Sequence, residues 1–238
     1  MEKSKTGAAI LGIAIFCGLA ALGYLLGDAA LKVKAMERTV RVKGLSEREY
    51  PADIVIWPIR FVAADNNLQD LYATIEKNTR KIKAFLKKYK IKDADITINP
   101  PAVTDKTAQG WGGSERIKYR YSAIQTVTVY SHEIKLVNLA MSSLGELGKQ
   151  GIVFSSDDYE ARPEYIFTRL NEVKPAMIEE ATRKARDVAL KFAADSQSRL
   201  GKIKRASQGQ FEIFARDKST PYIKRIRVVS TVEYYLSD

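Results

Sequence analysis

The hydrophobic pattern opens with 20 uncharged residues from Ala8 to Gly27, dominated by Ala, Leu, Ile and Gly. At about 1.5 Å per residue, a helix of that length crosses a hydrocarbon core of about 30 Å. The pattern predicts a transmembrane signal anchor over residues 1–28, a stalk over residues 29–38 where small and basic residues mix without a strand period, with a continuing helix as the alternative there, and one folded domain over residues 39–238. A retained anchor is the preferred reading and a cleaved signal peptide the alternative, with Gly27-Asp28-Ala29 a poor cleavage site. Lys3 and Lys5 precede the segment while Lys32, Lys34 and Arg38 follow it, so the local charge count argues against export. Long domains nevertheless translocate largely regardless of charge.

Beyond the stalk, Val40 and Val42 alternate with Arg41 and Lys43 until Gly44 breaks the pattern, which predicts a short strand. Ile54 to Ala63 is a longer one, with Val55, Trp57, Ile59, Phe61 and Ala63 on one face and Pro58 pointing to an edge or a bulge. Asp65 and Asn66 offer capping oxygens to a helix whose apolar residues Leu68, Leu71, Ile75, Ile82, Phe85, Leu86 and Tyr89 recur at helical spacing. Ile96 to Ile98 is extended, a polar loop follows from Asp105 to Glu115, and Ile117 to Val129 alternates as an antiparallel strand with one wet face. Ile134 to Leu147 reads as a helix ended by Gly148, and Gly151 to Ser155 as a strand. Tyr165 to Thr168 adds a short strand before a long helix with a small-residue stripe through Ala181, Ala185, Ala189 and Ala193. Pro175 is placed near its first turn and Leu200-Gly201 at its stop. Ile203 to Phe214 and Ile223 to Leu236 are extended. The sum is an α+β fold: long antiparallel strands with helices packed on one sheet face, preceded by one N-terminal transmembrane helix. Strands this long exceed the usual span, and open edges invite pairing with a second copy, so a homo-oligomer is expected.

Charge changes this picture modestly. Lys and Arg total 39 against 28 Asp and Glu, and the net +11 belongs to the domain, because charges within residues 1–28 cancel. Such a balance favours anionic partners and also keeps a protein soluble. Lys77, Lys81 and Lys88 on the outer face of the first domain helix are the candidate surface for an anionic envelope component, with a solvated face as the plainer account. The single cysteine, Cys17, lies within the apolar segment, which excludes a thiol catalyst in the domain.

Catalytic constellations are sparse. His132, the one histidine, has no ligand partner at helical spacing and no Gly-x-Ser-x-Gly elbow accompanies it. Asp157, Asp158 and Glu160 form a second candidate group without the calcium-loop pattern. Gly110-Trp111-Gly112-Gly113-Ser114 lacks the lysine and spacing of a phosphate loop and reads as a hairpin tip that could touch a partner or membrane. Tyr119 and Tyr121 alternate with Lys118 and Arg120 and read as core, which disfavours nucleic acid. No metal or cofactor is expected, no catalytic residue is assigned, and a hydrolase built on His132 or the acidic group stays an alternative.

The ordered features Val42-Lys43-Gly44, Pro51-Ala52-Asp53-Ile54, Ile91 to Thr97, Tyr121-Ser122-Ala123, Gly151-Ile152, Ala185-Arg186 and Val228 to Val232 carry a resemblance to the SIMPL-domain, or YggE-like, family over roughly residues 39 to 236. The resemblance implies an α+β fold, a bacterial periplasmic or envelope location, a tendency to assemble into rings and a link to stress tolerance. It implies no reaction. The expected placement is therefore a single-pass inner-membrane protein with its domain in the periplasm.

Overall fold

The computed structural model describes residues 2–36, 38–108, 118–155 and 161–237. Helix α1 (Glu2–Met36) is continuous, so the stalk prolongs the anchor as helix. Its stretch Gly12–Lys32 is long and apolar enough to cross a membrane, and none of it is buried in the protein. The fold is α+β, as the alternation of elements implies. The chain divides by its contacts into two compact units, one of residues 1–47, 174–212 and 227–238, which includes α1, and the other of residues 48–173 and 213–226.

The first unit holds most of strands β1 (Thr39–Pro51), β8 (Arg199–Gln208) and β10 (Ile223–Ser237), in the order β1-β10-β8, with helix α5 (Leu170–Asp195) supplying its buried stripe. Val42 packs with Ala185, Ala189, Val232 and Tyr234. Gly44 does not end β1, which continues for 13 residues. Its lack of a side chain serves a different purpose: a Cβ there would overlap the Ala181 carbonyl oxygen and come within 2.5 Å of the Ala185 nitrogen. Helix backbone therefore rests on strand backbone, and any side chain at 44 would wedge them apart. Pro175 lies in the second turn of α5 rather than the first, so it also removes the donor for the Asn171 carbonyl. The helix stops before Leu200-Gly201, which belong to β8. Ser198 N–H bonds to Ala193 O at 2.8 Å and Gln197 N–H to Ala194 O at 3.0 Å, with Gln197 left-handed at φ 54°. That is a Schellman cap without a glycine, which the sequence disguises.

The second unit is built on strand β2 (Ile54–Asp65), paired antiparallel from Val55 to Asp65 with β5 (Tyr121–Ser131). Strands β3 (Ile96–Ile98) and β4 (Ala102–Asp105) extend β5, while β6 (Val153–Phe154) and β7 (Glu164–Ile166) pair with separate stretches of β2. Pro58 falls between those two stretches, where a missing donor breaks no described pairing. The described part of β5 starts at Tyr121, with Lys118 to Arg120 outside the strand. Tyr119 is exposed, so of the two tyrosines only Tyr121 packs on the core. Lys118 lies over the Tyr119 ring and Arg120 over that of Tyr121.

Val55, Trp57, Ile59, Phe61 and Ala63 are all buried, as the period-2 pattern predicts, and helix α2 (Leu68–Lys88) covers them with Leu71, Ile75, Ile82, Phe85 and Leu86. Leu68 of the same stripe is exposed. The α2 cap is Asn67, whose Oδ1 accepts from Gln69 N at 2.8 Å; Asn66 instead accepts from Arg120 N at 2.9 Å. Gln125 sits on the inward face of β5 at an apolar position, satisfied by Thr79 Oγ1 at 2.8 Å and the Asn99 carbonyl at 2.9 Å. The helix expected from Ile134 to Leu147 is two, α3 (Ile134–Ser142) and α4 (Gly145–Lys149), and its stop is Gly151 at φ 89° rather than Gly148. Strand β9 (Glu212–Ala215) pairs with β10.

Candidate functional site

His132 occupies the two-residue link between β5 and α3, as the pattern of its neighbours implies. The link is pinned from beneath: buried Ser131 donates its hydroxyl to Asp95 Oδ2 at 3.0 Å and accepts from Glu133 N at 3.2 Å. His132 Nδ1 lies 3.0 Å from the Asp53 carbonyl oxygen. A carbonyl only accepts, so Nδ1 carries the hydrogen and neutral His132 keeps a basic lone pair on Nε2.

Asp53 is itself held at every polar atom. Its N–H bonds to Ile166 O at 2.9 Å, and its carboxylate accepts from Thr168 N, Thr168 Oγ1 and Arg169 Nε at 3.0 to 3.3 Å. Burial pushes this carboxyl up, but the Thr168 amide and hydroxyl and the Arg169 guanidinium outweigh it and hold the group below the ordinary carboxylate range.

A cleft of about 920 Å³ opens beside the histidine, between the end of β1 with the next residue (Glu49 to Ala52), the start of α3 and Tyr222-Ile223. Its walls are largely apolar and aromatic, with Tyr50, Pro51, Ile134 and Tyr222. Tyr165 donates to Asn138 Oδ1 at 2.6 Å and meets Tyr222 edge-on at 6.1 Å. Burial raises the Tyr165 phenol, and Tyr222 adds to the shift, so the hydroxyl stays a donor throughout the physiological range. With its oxygen engaged, Asn138 keeps its N–H donors for whatever enters. Glu49 is spanned by Arg225 at 3.3 Å and Arg216 at 3.5 Å. The cleft thus combines an apolar body, a base, an amide and the charges of Glu133 and Lys135, a composition suited to holding a small amphipathic molecule. No Ser, Thr or Cys lines it among the described residues. The neighbouring hydroxyl, Ser131, is buried and committed to Asp95.

The lysines of α2 are placed differently from a free cationic stripe. Lys88 contacts Glu146 of α4 at 2.8 Å, Tyr89 donates to the same carboxylate at 3.0 Å, and Lys81 donates to Gln150 O at 2.7 Å. Glu146 raises the Lys88 ammonium, and Lys88 with Tyr89 lowers the Glu146 carboxyl. Arg80 and Lys83 face Glu76 and Asp93 at 3.6 and 3.8 Å. Lys77 is exposed. Asp157, Asp158, Glu160 and Trp111 lie outside the described residues. Among the described residues no three His, Cys, Asp or Glu side chains are placed to hold a metal ion.

Sequence reasoning singled out His132 but missed Asp53, Asn138, Tyr165 and Tyr222 around it. These come from four separate segments, and only the Pro51-Ala52-Asp53 turn carried a signal, as part of the family pattern. No curated protein matches the chain. The pattern of the SIMPL family, described as a protein of unknown function (DUF541), matches residues 40–233, and the chain belongs to that family.

Proposed function

We propose that this is a bacterial envelope protein, anchored in the inner membrane by α1 with its domain in the periplasm, that acts by interaction and joins copies of itself through the open edges of its first sheet. The observation that carries the reading is β8: it ends the order β1-β10-β8, and nine of its ten residues are exposed. An exposed strand of that length is a template for another chain. A like-to-like β8 edge would bring Lys202 and Arg205 of both copies together, so the partner we propose is the other open edge, β1 of a neighbouring copy. Such head-to-tail pairing continues the sheet and closes into a ring when the rotation permits.

Light scattering on the full chain in detergent tests it, with Ala206→Pro and Ser207→Pro as probes. Consecutive strand residues turn their N–H groups to opposite sides, so one of these two removes an edge donor. A discrete oligomer that falls apart in that variant supports the reading, and a monomer at every concentration sinks it. Protection of the domain from protease in intact cells, lost in spheroplasts, would support the periplasmic placement. We extend the reading to stress tolerance as a consequence of assembly, to be tested by survival of cells carrying only the assembly-defective variant.

A second reading, favoured by the pinned His132 tautomer, is that the cleft of the second unit binds or hydrolyses a small amphipathic molecule. A substrate and ligand screen in which His132→Gln and Asn138→Ala change nothing removes it. Lys77, with Lys81 and Lys88, remains our proposed contact for an anionic envelope component, and unchanged salt-dependent binding in Lys77→Glu would end that role.

A further inference from the structure

Three cations of the first unit border one concavity of about 730 Å³: Arg183 and Arg186 on α5 and Lys202 on β8, over a floor made by Tyr234. The helix brings Arg183 and Arg186 to one flank of the buried alanine stripe. The strand brings Lys202 by an irregularity. Tyr234 pairs with Ile203 and Leu236 with Leu200, so Gly201 and Lys202 together oppose Tyr235, and β8 bulges there. A Cβ on Gly201 would lie 3.0 Å from the Tyr235 carbonyl oxygen, which explains a glycine at the bend.

Neighbouring cations are compensated: Lys184 meets Glu180 at 2.7 Å and Lys204 meets Glu233 at 3.6 Å. Arg183, Arg186 and Lys202 enter no described ion pair, and Glu179 is the acid on the rim, so the cleft keeps an excess of positive charge. Burial raises the Tyr234 phenol while the charge of Arg186 pulls it the other way, so the guanidinium field reaches the floor.

The chain also sets where this cleft stands. Arg38 accepts from Leu236 N at 2.8 Å and donates to Ser198 Oγ at 3.2 Å, tying the first residues after α1 to the end of β10 and the start of β8. The apolar span ends at Lys32. Six residues of chain separate Lys32 from Arg38, and Arg38 is bonded to Leu236, two residues along β10 from Tyr234, so the path from the end of the span is at most roughly 30 Å. The headgroup zone begins where the span ends. Guanidinium forks match phosphate oxygens in pairs, and tethering to the bilayer holds such phosphates at high local concentration.

We propose that this cleft binds the phosphate of an anionic phospholipid headgroup in the leaflet from which α1 emerges. The inference shares the anchor with the reading above, and Lys202 lies on the strand proposed there for assembly, whereas Arg183 and Arg186 lie on α5 away from it, so Arg183→Gln with Arg186→Gln tests lipid binding apart from assembly. The full chain in micelles doped with phosphatidylglycerol or phosphatidylcholine, with bound lipid counted by native mass spectrometry, provides the test. The expected result is preferential retention of phosphatidylglycerol, reduced about tenfold or more by combined Arg183→Gln, Arg186→Gln and Lys202→Gln. An equal charge change at Lys92, Lys149 and Lys218 leaves retention within about twofold. Arg186→Lys keeps the charge, removes the fork and gives a partial loss, which decides the matter should the triple variant fail to fold. Equal retention of the two lipids, or undiminished retention in the folded triple variant, overturns the proposal. So does displacement of the lipid by an equimolar amount of inorganic phosphate, which would assign the cleft to a free anion.

Discussion

The two units pack helix on sheet in different ways. In the first, Val42 and the alanines of α5 leave so little between helix and sheet that Gly44 touches helix backbone. In the second, Phe61, Ile59, Leu71, Ile82, Leu86 and Leu147 fill a thick layer between α2 and the β2-β5 pair. One core is specified by closeness and fails when atoms are added, whereas the other is specified by volume and fails when atoms are removed.

The sharpest way to break this comparison is a matched pair of truncation and addition. Phe61→Ala is expected to cost about 4 kcal/mol through cavity formation, with hydrogen exchange rising first in α2 and β2. Gly44→Ala, the smallest addition available, is expected to cost about 3 kcal/mol and to loosen α5 instead. Ala181→Gly should not rescue it, because the obstructing atoms are backbone; rescue would show that side-chain crowding, not closeness, sets the first core.

A smaller effect belongs to Asp53, which ties the β1-β2 turn to Thr168 and Arg169. Asp53→Ala should cost about 2 kcal/mol at neutral pH, read from chemical denaturation. Because its folded pKa is depressed, the carboxylate's contribution is fully present above its unfolded value near 3.9 and is lost as pH falls through the lower folded value. The gap in Tm between wild type and Asp53→Asn should therefore narrow on acidification below about pH 4. The smallest effects are gains: Lys90, at φ 63°, and Gln197, at φ 54°, hold left-handed caps, and Gly at either should stabilise by about 0.5 kcal/mol. A loss at Gln197 would mean that its side chain contributes to the first unit more than its backbone strains it.

Legibility followed the same division. The period-2 run of β2 and the helical stripe of α2 announce a thick apolar layer, because bulky residues recur at fixed spacing. The alanine stripe of α5 is equally visible, but its counterpart at Gly44 resembles a strand breaker, since a missing side chain has the same letter whether it frees a turn or admits a helix. Caps at Lys90 and Gln197 were hidden because their residue types are not those that favour positive φ. Asn138, Tyr165 and Tyr222 could not be joined to His132 by spacing, as they meet only after β2, β5 and β7 have paired. The membrane-spanning length of α1, by contrast, is a property of consecutive residues and needs no tertiary information.

Gly44 has a final implication for inherited variation. Every missense change of a glycine codon introduces a carbon at Cβ, and at this position that carbon enters the backbone of α5 whatever follows it in the side chain. Codon 44 has no mild missense neighbour: substitutions there should fall into one phenotypic class irrespective of size, charge or polarity, unlike those at Phe61, where severity should scale with the volume lost.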